Sequence, residues 1–351
     1  MTALIDETKA EAFGEQLLGI LSSGTLALMI SIGHRTKLFD TLAGLPGATS
    51  DELARAARLD ERYVREWLGA MFTGQLVECD PATRRFSLPP EHAACLTRAA
   101  TPNNLAVLAQ FVAVLGSVED QVVECFERGG GVPYSAFGRF HEVMAEDSAQ
   151  TVVAGLDEFI LPLAPGLSER LAAGIDVLDV GCGLGRALNH LARRFPASRF
   201  RGYDLSPEAI AGARAEAPAN ATFEARDVTE LDEVGRYDLI TAFDAIHDQI
   251  APDRVLSGIA QALKPGGLFL MQDIRASSDV LQNRDNPLAA LLYTISTMHC
   301  MTVSLAAGGA GLGACWGEEL ALELLAAAGF SEVRVEQLEH DIQNNFYLAR
   351  R

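Results

Sequence analysis

Apolar and polar positions follow two rhythms along the chain, and the change falls near residue 171. Upstream the spacing is helical. Thr49-Ser50-Asp51-Glu52-Leu53-Ala54 opens a helix with Ser50 as its N-cap and acids in its first turn. From Asp60 to Phe72, Tyr63, Val64, Trp67, Leu68 and Met71 share one helical face. Leu76–Cys79 and Arg84–Leu88 read as short strands around the turn Asp80-Pro81-Ala82-Thr83. Helix, turn, helix and hairpin predict a winged helix within residues 1–100. Ahead of it, Leu17–Ile32 predicts a buried helix suited to a dimer interface. Residues 101–170 predict a helical connector: a buried apolar run over Leu105–Phe126, a break at Gly129-Gly130-Gly131, then helices over Ser135–Glu146 and Ser148–Leu161.

Downstream, over residues 171–351, strand and helix alternate as a doubly wound, mostly parallel α/β sheet requires. The predicted strands are Asp176–Val180, Arg199–Asp204, Thr222–Arg226, Tyr237–Phe243 and Gly267–Gln272. Helices fall at Arg186–Phe195, Pro207–Ala217 and Pro252–Leu263, and Glu332–Gln337 with Asn345–Arg350 form a closing antiparallel pair.

Composition narrows the partners. The 351 residues are 49% hydrophobic and 21% charged, with a formal charge of −19. That is the profile of a soluble globular protein with a large core, and it opposes a nucleic-acid partner, which demands a local excess of Lys and Arg. In the winged helix, Arg62 and Arg65 stand among Asp60, Glu61 and Glu66, and Arg84-Arg85 among Glu78, Asp80 and Glu91. Dimerisation and a role as substrate lid suit this module better than DNA binding. Met1–Gln16 is acidic, unlike the basic start of a secretory signal. Leu17–Ile32 is short for a membrane span and is interrupted by Ser22, Ser23, Gly24 and Ser31. The six cysteines show neither C-x-x-C nor clustering with histidine, so reduced thiols in the cytoplasm and no bound metal are expected.

The chemistry is concentrated at Val177-Leu178-Asp179-Val180-Gly181-Cys182-Gly183-Leu184-Gly185. A strand ends in three alternate glycines before a helix, a turn that lets backbone lie against a ligand. The next strand ends in Asp204, an acid placed to accept ribose hydroxyls. Together they predict an adenosine-bearing cofactor at the carboxyl edge of the sheet. The spacing G-x-G-x-G, with Arg186 where a dinucleotide fingerprint has its last glycine, opposes a nicotinamide coenzyme.

VLDVGCGLGR (177–186) resembles motif I of class I S-adenosylmethionine (SAM) methyltransferases. With FHEVMAEDS (140–148) and AIHDQIAPDRVLSGIAQALKPGG (245–267), the chain resembles the two-domain small-molecule O-methyltransferases with an N-terminal winged-helix dimerisation domain. YTISTMHCMTVSLAAGGAGLGACWGEE (293–319) is similar to a bacterial, mycobacterial-like branch of them. The resemblance implies a seven-stranded sheet, SAM as cofactor, a small-molecule methyl acceptor and a homodimer. Gln249 stands where that family usually has Trp after His-Asp.

Residue by residue, it implies that Gly181, Gly183 and Gly185 approach the methionine part of SAM, with Asp179 near its amino group. Asp204 takes the ribose hydroxyls, Leu205 lies on the adenine face, and Asp227 with Val228 meets the adenine edge. Phe243 and Asp244 lie beside the sulfonium, under a roof of Phe137, Phe140 and Met144. His247 is the candidate general base for a hydroxyl or thiol, with Asp248 or Asp273 orienting it. Tyr134, Tyr293, Met298, His299, Cys300, Met301 and Trp316 line the acceptor pocket, and Gly308–Gly313 is either a lid loop or a plain connection. The alternative function is a SAM-sensing winged-helix transcriptional regulator.

Overall fold

Helix caps and apolar spacing build the first of two units, which divide after Gly116. A computed structural model describes residues 5–351. The first unit contains α1 (Glu7–Arg35), α2 (Leu38–Ala43), α3 (Ser50–Ala57), α4 (Glu61–Thr73), β1 (Glu78–Cys79), β2 (Phe86–Ser87), α5 (Pro90–Leu96) and α6 (Ala109–Gly116). Thr49, not Ser50, caps α3: its hydroxyl accepts from the Glu52 amide while the Glu52 carboxylate accepts from the Thr49 amide. The capping box satisfies two helix-end donors at once, which a cap one residue later would not. Asp60 caps α4. Val64, Trp67, Leu68 and Met71 are buried, but Tyr63 is 80% exposed. It precedes Val64 and so stands about 100° around the helix from it. Trp67 packs edge-on against Phe39 and donates its indole N–H to the Met29 carbonyl, 3.0 Å away. On the outer surface Arg65 pairs with Glu61 at 2.6 Å and Arg62 with Glu66.

Two expectations are corrected here. Leu17–Ile32 lies within α1, whose only buried residues are Ser31, Gly33 and His34, and Phe13, Leu17, Leu18, Ile20 and Leu21 are exposed. The helix is also longer than read, because the acidic start continues it to 29 residues. By length and composition α1 and the stretch Ala289–Ala306 are long and apolar enough to cross a membrane. The connector forms no body of its own. Residues 101–116 belong to the first unit and 117–170 to the second. Within Leu105–Phe126, Phe111, Val114, Leu115 and Val122 are buried, whereas Phe126 is exposed. Its helix, α7 (Glu119–Arg128), is strongly one-sided and buries Val122 alone.

The rest of the second unit runs α8 (Phe140–Ser148), α9 (Leu167–Ala173), β3 (Asp176–Val180), α10 (Arg186–Arg194), β4 (Arg199–Asp204), α11 (Pro207–Ala215), β5 (Ala221–Ala225), β6 (Tyr237–Phe243) and α12 (Pro252–Ala262). It ends with β7 (Leu263–Ile274), α13 (Ala289–Ile295), α14 (Met301–Ala306), α15 (Gly317–Ala327), β8 (Glu332–Glu336) and β9 (Asn344–Arg350). Two π-helical stretches, Ala149–Val153 and Leu156–Ile160, replace the predicted helix Ser148–Leu161, and a third, Ser296–Cys300, joins α13 to α14. The seven-stranded sheet has the order β5-β4-β3-β6-β7-β9-β8. β5 to β7 pair in parallel, and β9 enters antiparallel between β7 and β8.

β3 and β6 are near-continuous apolar runs because both of their faces are covered. One face packs α12 and α15 through Ile240, Val255, Leu256, Ile259 and Leu325. The other packs Leu156, Leu171, Leu188 and Leu191 against Val177, Leu239 and Leu268. At the amino ends of the strands, Lys264 Nζ bridges Asp176 (3.0 Å) and Asp238 (2.7 Å). The carboxyl ends of β3 to β6 open onto a cavity. Ile240→Ala should cost ~2–5 kcal/mol of stability, read as a lower urea midpoint with unchanged slope.

Candidate active site

The loops after β3, β4, β5 and β6 converge on a cavity of about 900 Å³ whose far wall runs from Pro133 to Val152. It opens where the connection order reverses on either side of β3, the usual ligand crevice of such sheets. Asp179, Gly181, Gly183, Asp204, Leu205, Asp227, Val228, Phe243, Asp244, Asp248 and Tyr134 all line it.

The three glycines have φ of +71°, +52° and +67°, conformations that side chains disfavour. Their surroundings differ. A Cβ on Gly181 would meet Ala245 at 2.4 Å, and one on Gly185 would meet Phe223 at 2.6 Å. A Cβ on Gly183 would meet nothing within 4 Å. Gly185 is absent from the cavity wall; it lets α10 close onto the sheet, so the structure gives it a packing role instead of cofactor contact. Gly183 is the open approach. Its N–H donates to Asp204 Oδ2 at 2.8 Å, while Asp204 Oδ1 accepts from Ser206 N at 2.8 Å. Asp227 Oδ1 accepts from the amide and hydroxyl of Thr229, so this residue caps a short turn as well as facing the cavity.

Electrostatics are dominated by carboxylates. Six acids, Asp179, Asp204, Glu208, Asp227, Asp244 and Asp248, line the cavity against one guanidinium, Arg186. Arg186 itself donates to the Ala145 carbonyl at 2.8 Å, tying α10 to α8. Burial lifts the Asp179 pKa to about 7, with Thr241 Oγ1 donating to it at 2.7 Å and opposing the shift. Burial likewise raises Asp248 to about 6. Asp244 sits at φ +51°, accepts from Gln272 Nε2 at 3.2 Å, and leaves Oδ1 buried without a hydrogen-bond partner. Burial and the Asp273 charge push its pKa well up. Such a wall favours a ligand with positive charge. Among the described residues no group of three or more His, Cys, Asp or Glu is arranged to hold a metal ion.

His247 is placed differently from the other candidates. It is buried behind the cavity wall, with Nδ1 2.8 Å from Asp273 Oδ1. The same oxygen accepts from Trp316 Nε1 at 2.9 Å and Ile274 N at 2.8 Å. Asp273, not Asp248, therefore orients the ring. Burial disfavours the charged imidazole, but the Asp273 carboxylate and the neighbouring Cys300 thiol outweigh it and hold its pKa well above 6.5. Tyr293, Met298, His299, Cys300 and Trp316 also lie outside the cavity wall, and of the expected acceptor contacts Tyr134 alone reaches it. The Gly308–Gly313 segment is tied down by Gly309 N to Ser304 O (2.8 Å) and Ala310 N to Ile250 O (2.9 Å).

Residues 171–329 match a family profile described as a methyltransferase domain, and residues 24–98 match an Rv2258c-like winged HTH domain. The chain thus carries a methyltransferase domain preceded by a winged HTH domain. Trans-aconitate 2-methyltransferase of Deinococcus radiodurans is 36% identical over 110 residues, 31% of this chain and 41% of that enzyme. Fatty-acid O-methyltransferase of Mycolicibacterium smegmatis is 32% identical over 109 residues, 30% of this chain and 40% of that enzyme. The chain thus matches less than half the length of these relatives. Human N-acetylserotonin methyltransferase, solved in complex with SAM, shares the fold with a TM-score of 0.68 at 17% identity, covering 100% of this chain and 99% of that one. Mitomycin 7-O-methyltransferase gives 0.67 at 19%, covering 98% and 100%.

One cavity residue went unremarked in the sequence, and a second, Gln249, has a partner that the sequence did not suggest. His141 lines the wall beside Tyr134, whose hydroxyl lies 3.4 Å from Nδ1. Gln249 donates to the Ala245 carbonyl at 2.6 Å, so the residue at the usual Trp position braces its own loop. A histidine one position after Phe140 was a visible signal for the first; the missing Trp after His247-Asp248 had marked the second, but not its bond to Ala245.

Two outcomes test the site. Gly183→Val should abolish S-adenosylhomocysteine binding by calorimetry, because a β-branched side chain both strains a turn residue at φ +52° and enters the approach path, while circular dichroism checks that the domain stays folded. Gly185→Ala should instead lower thermal stability. The pH behaviour follows from Asp179, whose carboxyl holds a proton in the folded state between the ordinary 3.8 and about 7. The folded protein binds more protons than the unfolded chain there, so stability without ligand falls as pH rises through that window. An ammonium group beside Asp179 favours the ionised form. Affinity for S-adenosylhomocysteine should therefore fall as pH drops below about 7, and Asp179→Asn should flatten that dependence.

Proposed function

We propose that this protein transfers a methyl group from SAM to a hydroxyl or thiol of a small molecule. The observation that carries this reading is the acid-lined crevice after β3, open at Gly183 alone of the three glycines. Its residues fit the cofactor. Asp179 and the unpartnered Asp244 Oδ1 offer negative charge to ammonium and sulfonium groups. Asp204 suits a ribose, and Leu205, Asp227, Val228 and Phe243 offer one carboxylate and three apolar surfaces to a nucleobase and its neighbours. Bound there, SAM supplies an already activated methyl group.

What is left to the protein is alignment and removal of one proton. His247 accepts that proton from the acceptor's oxygen or sulfur; the lone pair so freed would bond the methyl carbon as the carbon–sulfur bond of the donor breaks and its sulfur leaves as a neutral thioether. Asp273 fixes the ring through Nδ1, which leaves Nε2 as the basic nitrogen and stabilises the imidazolium that forms. Asp248, in the cavity wall, presents a second carboxylate to the same space.

A second copy of the chain is the partner we assign to the exposed apolar side of α1, giving a homodimer; Ser22, Ser23 and Thr25 on that helix suit a protein contact better than lipid. The regulator reading is disfavoured because Arg62, Arg65 and Arg85 are already paired with Glu66, Glu61 and Glu52.

Purified protein with methyl-labelled SAM should label at least one member of a panel of phenols and thiols. His247→Ala should lower that rate by ~10²-fold or more without changing S-adenosylhomocysteine affinity. The wild-type rate should climb on the alkaline side of an ordinary histidine, since the ring must first lose the proton that Asp273 stabilises. Asp273→Asn should move that climb to lower pH. An unchanged rate in His247→Ala would reassign the residue to packing.

A further inference from the structure

Three carboxyl groups, Asp244, Asp341 and Asp147, gather at the crevice through a single amide. Gln272, 0% exposed on β7, places its Nε2 at 3.2 Å from Asp244 Oδ2 and 3.4 Å from Asp341 Oδ2, donating to both. Asn344 Nδ2 donates to the same Asp341 oxygen at 2.9 Å, and the Gln343 and Asn344 amides donate to Asp341 Oδ1. Asp147 on α8 stands close enough to feel the Asp341 charge. The charged groups that act on Asp244 are Asp273, His247, Asp341 and Asp147, and His340 acts on Asp341. Among the described residues no Lys or Arg acts on any of the three acids, and His247 is already held by Asp273.

Donors are in deficit here. Asp244 Oδ1, Gln272 Oε1 and Asn344 Oδ1 are all buried and unpartnered, whereas buried acceptors almost always have a donor. Carboxylates this close do not all ionise together, and a carboxyl that keeps its hydrogen gains a donor. Asp244 also holds φ +51°, a strained conformation of the kind that clusters at functional positions. It lines the crevice, and the turn after β3 presses on the next residue: a Cβ on Gly181 would lie 2.4 Å from Ala245. A ligand seated on that turn is therefore one residue away from Asp244.

We propose that Asp244, Asp341 and Asp147, linked through Gln272, hold a proton that leaves when a positive charge enters the crevice, so that the site prefers cationic SAM to its neutral-sulfur product S-adenosylhomocysteine. This deepens the methyl-transfer reading and rests on it. In the empty crevice a carboxyl O–H supplies the missing donor. A sulfonium near Asp244 stabilises the carboxylate instead, and the proton passes to solvent. Methyl transfer leaves a neutral thioether, so the charge is gone and the group takes a proton back from solvent. The product is thereby held less tightly than the cofactor that replaces it. Burial and the Asp341 charge lift the Asp147 pKa to about 7, and burial with the Asp273 charge lifts Asp244 well above the usual carboxyl range, so protons are held at neutral pH.

The test is calorimetry of the full-length protein with SAM and with S-adenosylhomocysteine, each in two buffers of different ionisation enthalpy, which counts the protons released. SAM should release more protons than S-adenosylhomocysteine at pH 7. The amino group is common to both ligands, so the Asp179 response cancels from the comparison. SAM should bind about tenfold more tightly than S-adenosylhomocysteine at pH 8, and the ratio should shrink towards one at pH 6, where the acids keep their protons. Asp341→Asn should remove both the extra proton and the pH dependence of the ratio. Asp147→Asn should reduce both, and guards against misfolding of the first variant; neither residue is in the crevice wall, so S-adenosylhomocysteine affinity at the wild-type level shows that the site is intact. Equal proton counts for the two ligands in the wild type, the same affinity ratio at pH 6 and pH 8, or an extra proton that survives undiminished in both variants overturns the proposal. Failure of the wild type to bind either ligand is a separate result, and overturns the methyltransferase reading.

Discussion

The hydrogen bond from the Gly183 amide to Asp204 is the constraint on which the site depends. It joins the turn after β3 to the end of β4 at 2.8 Å, and the Gly181 and Cys182 amides reinforce it by donating to the Tyr203 carbonyl. A turn held in this way needs three left-handed residues in five positions, and only glycine supplies them without strain. The glycines then divide the work. Gly181 and Gly185 allow neighbouring elements to close, while Gly183 keeps backbone exposed to the cavity. The same carboxylate that faces the cavity thus also fixes its floor.

Charge placement has a cost that bears on function. Asp179 and Asp248 carry raised pKa values because the fold removes them from water, and Asp147, near Asp341, is lifted to about 7 for the same reason. These groups destabilise the folded state in their ionised forms. A cationic ligand would offset that cost at Asp179 and Asp248, which line the crevice, and perturbed carboxyls grouped in a cleft are a recognised mark of functional sites. His247 and Asp273 show the opposite balance: each is buried beside an oppositely charged partner, whereas Asp179 and Asp244 have only neutral hydrogen-bond donors.

Shared architecture says little about the acceptor. Methyltransferases with differently named substrates align with this fold at TM-scores near those quoted above, at under 20% identity. Specificity belongs to side chains grafted on the common sheet.

The sequence by itself determined the sheet. Asp176–Val180, Arg199–Asp204 and Tyr237–Phe243 coincide with β3, β4 and β6, because buried parallel strands are continuous apolar runs bounded by glycine and acid punctuation. It also located Asp179, Gly183 and Asp204, whose chemistry is local to one turn and the strand beside it. Local pattern was insufficient elsewhere. An apolar stretch such as Leu17–Ile32 looks the same whether its partner is its own core or another surface, and the outward side of Tyr63 was decided by a rotation of one residue. Only the tertiary structure paired His247 with Asp273 across 26 residues, moved Gly185 from ligand contact to packing, and set Gln272 between Asp244 and Asp341. Those are contacts between segments distant in sequence, and their geometry depends on how helices and loops settle on the sheet, which no local periodicity records.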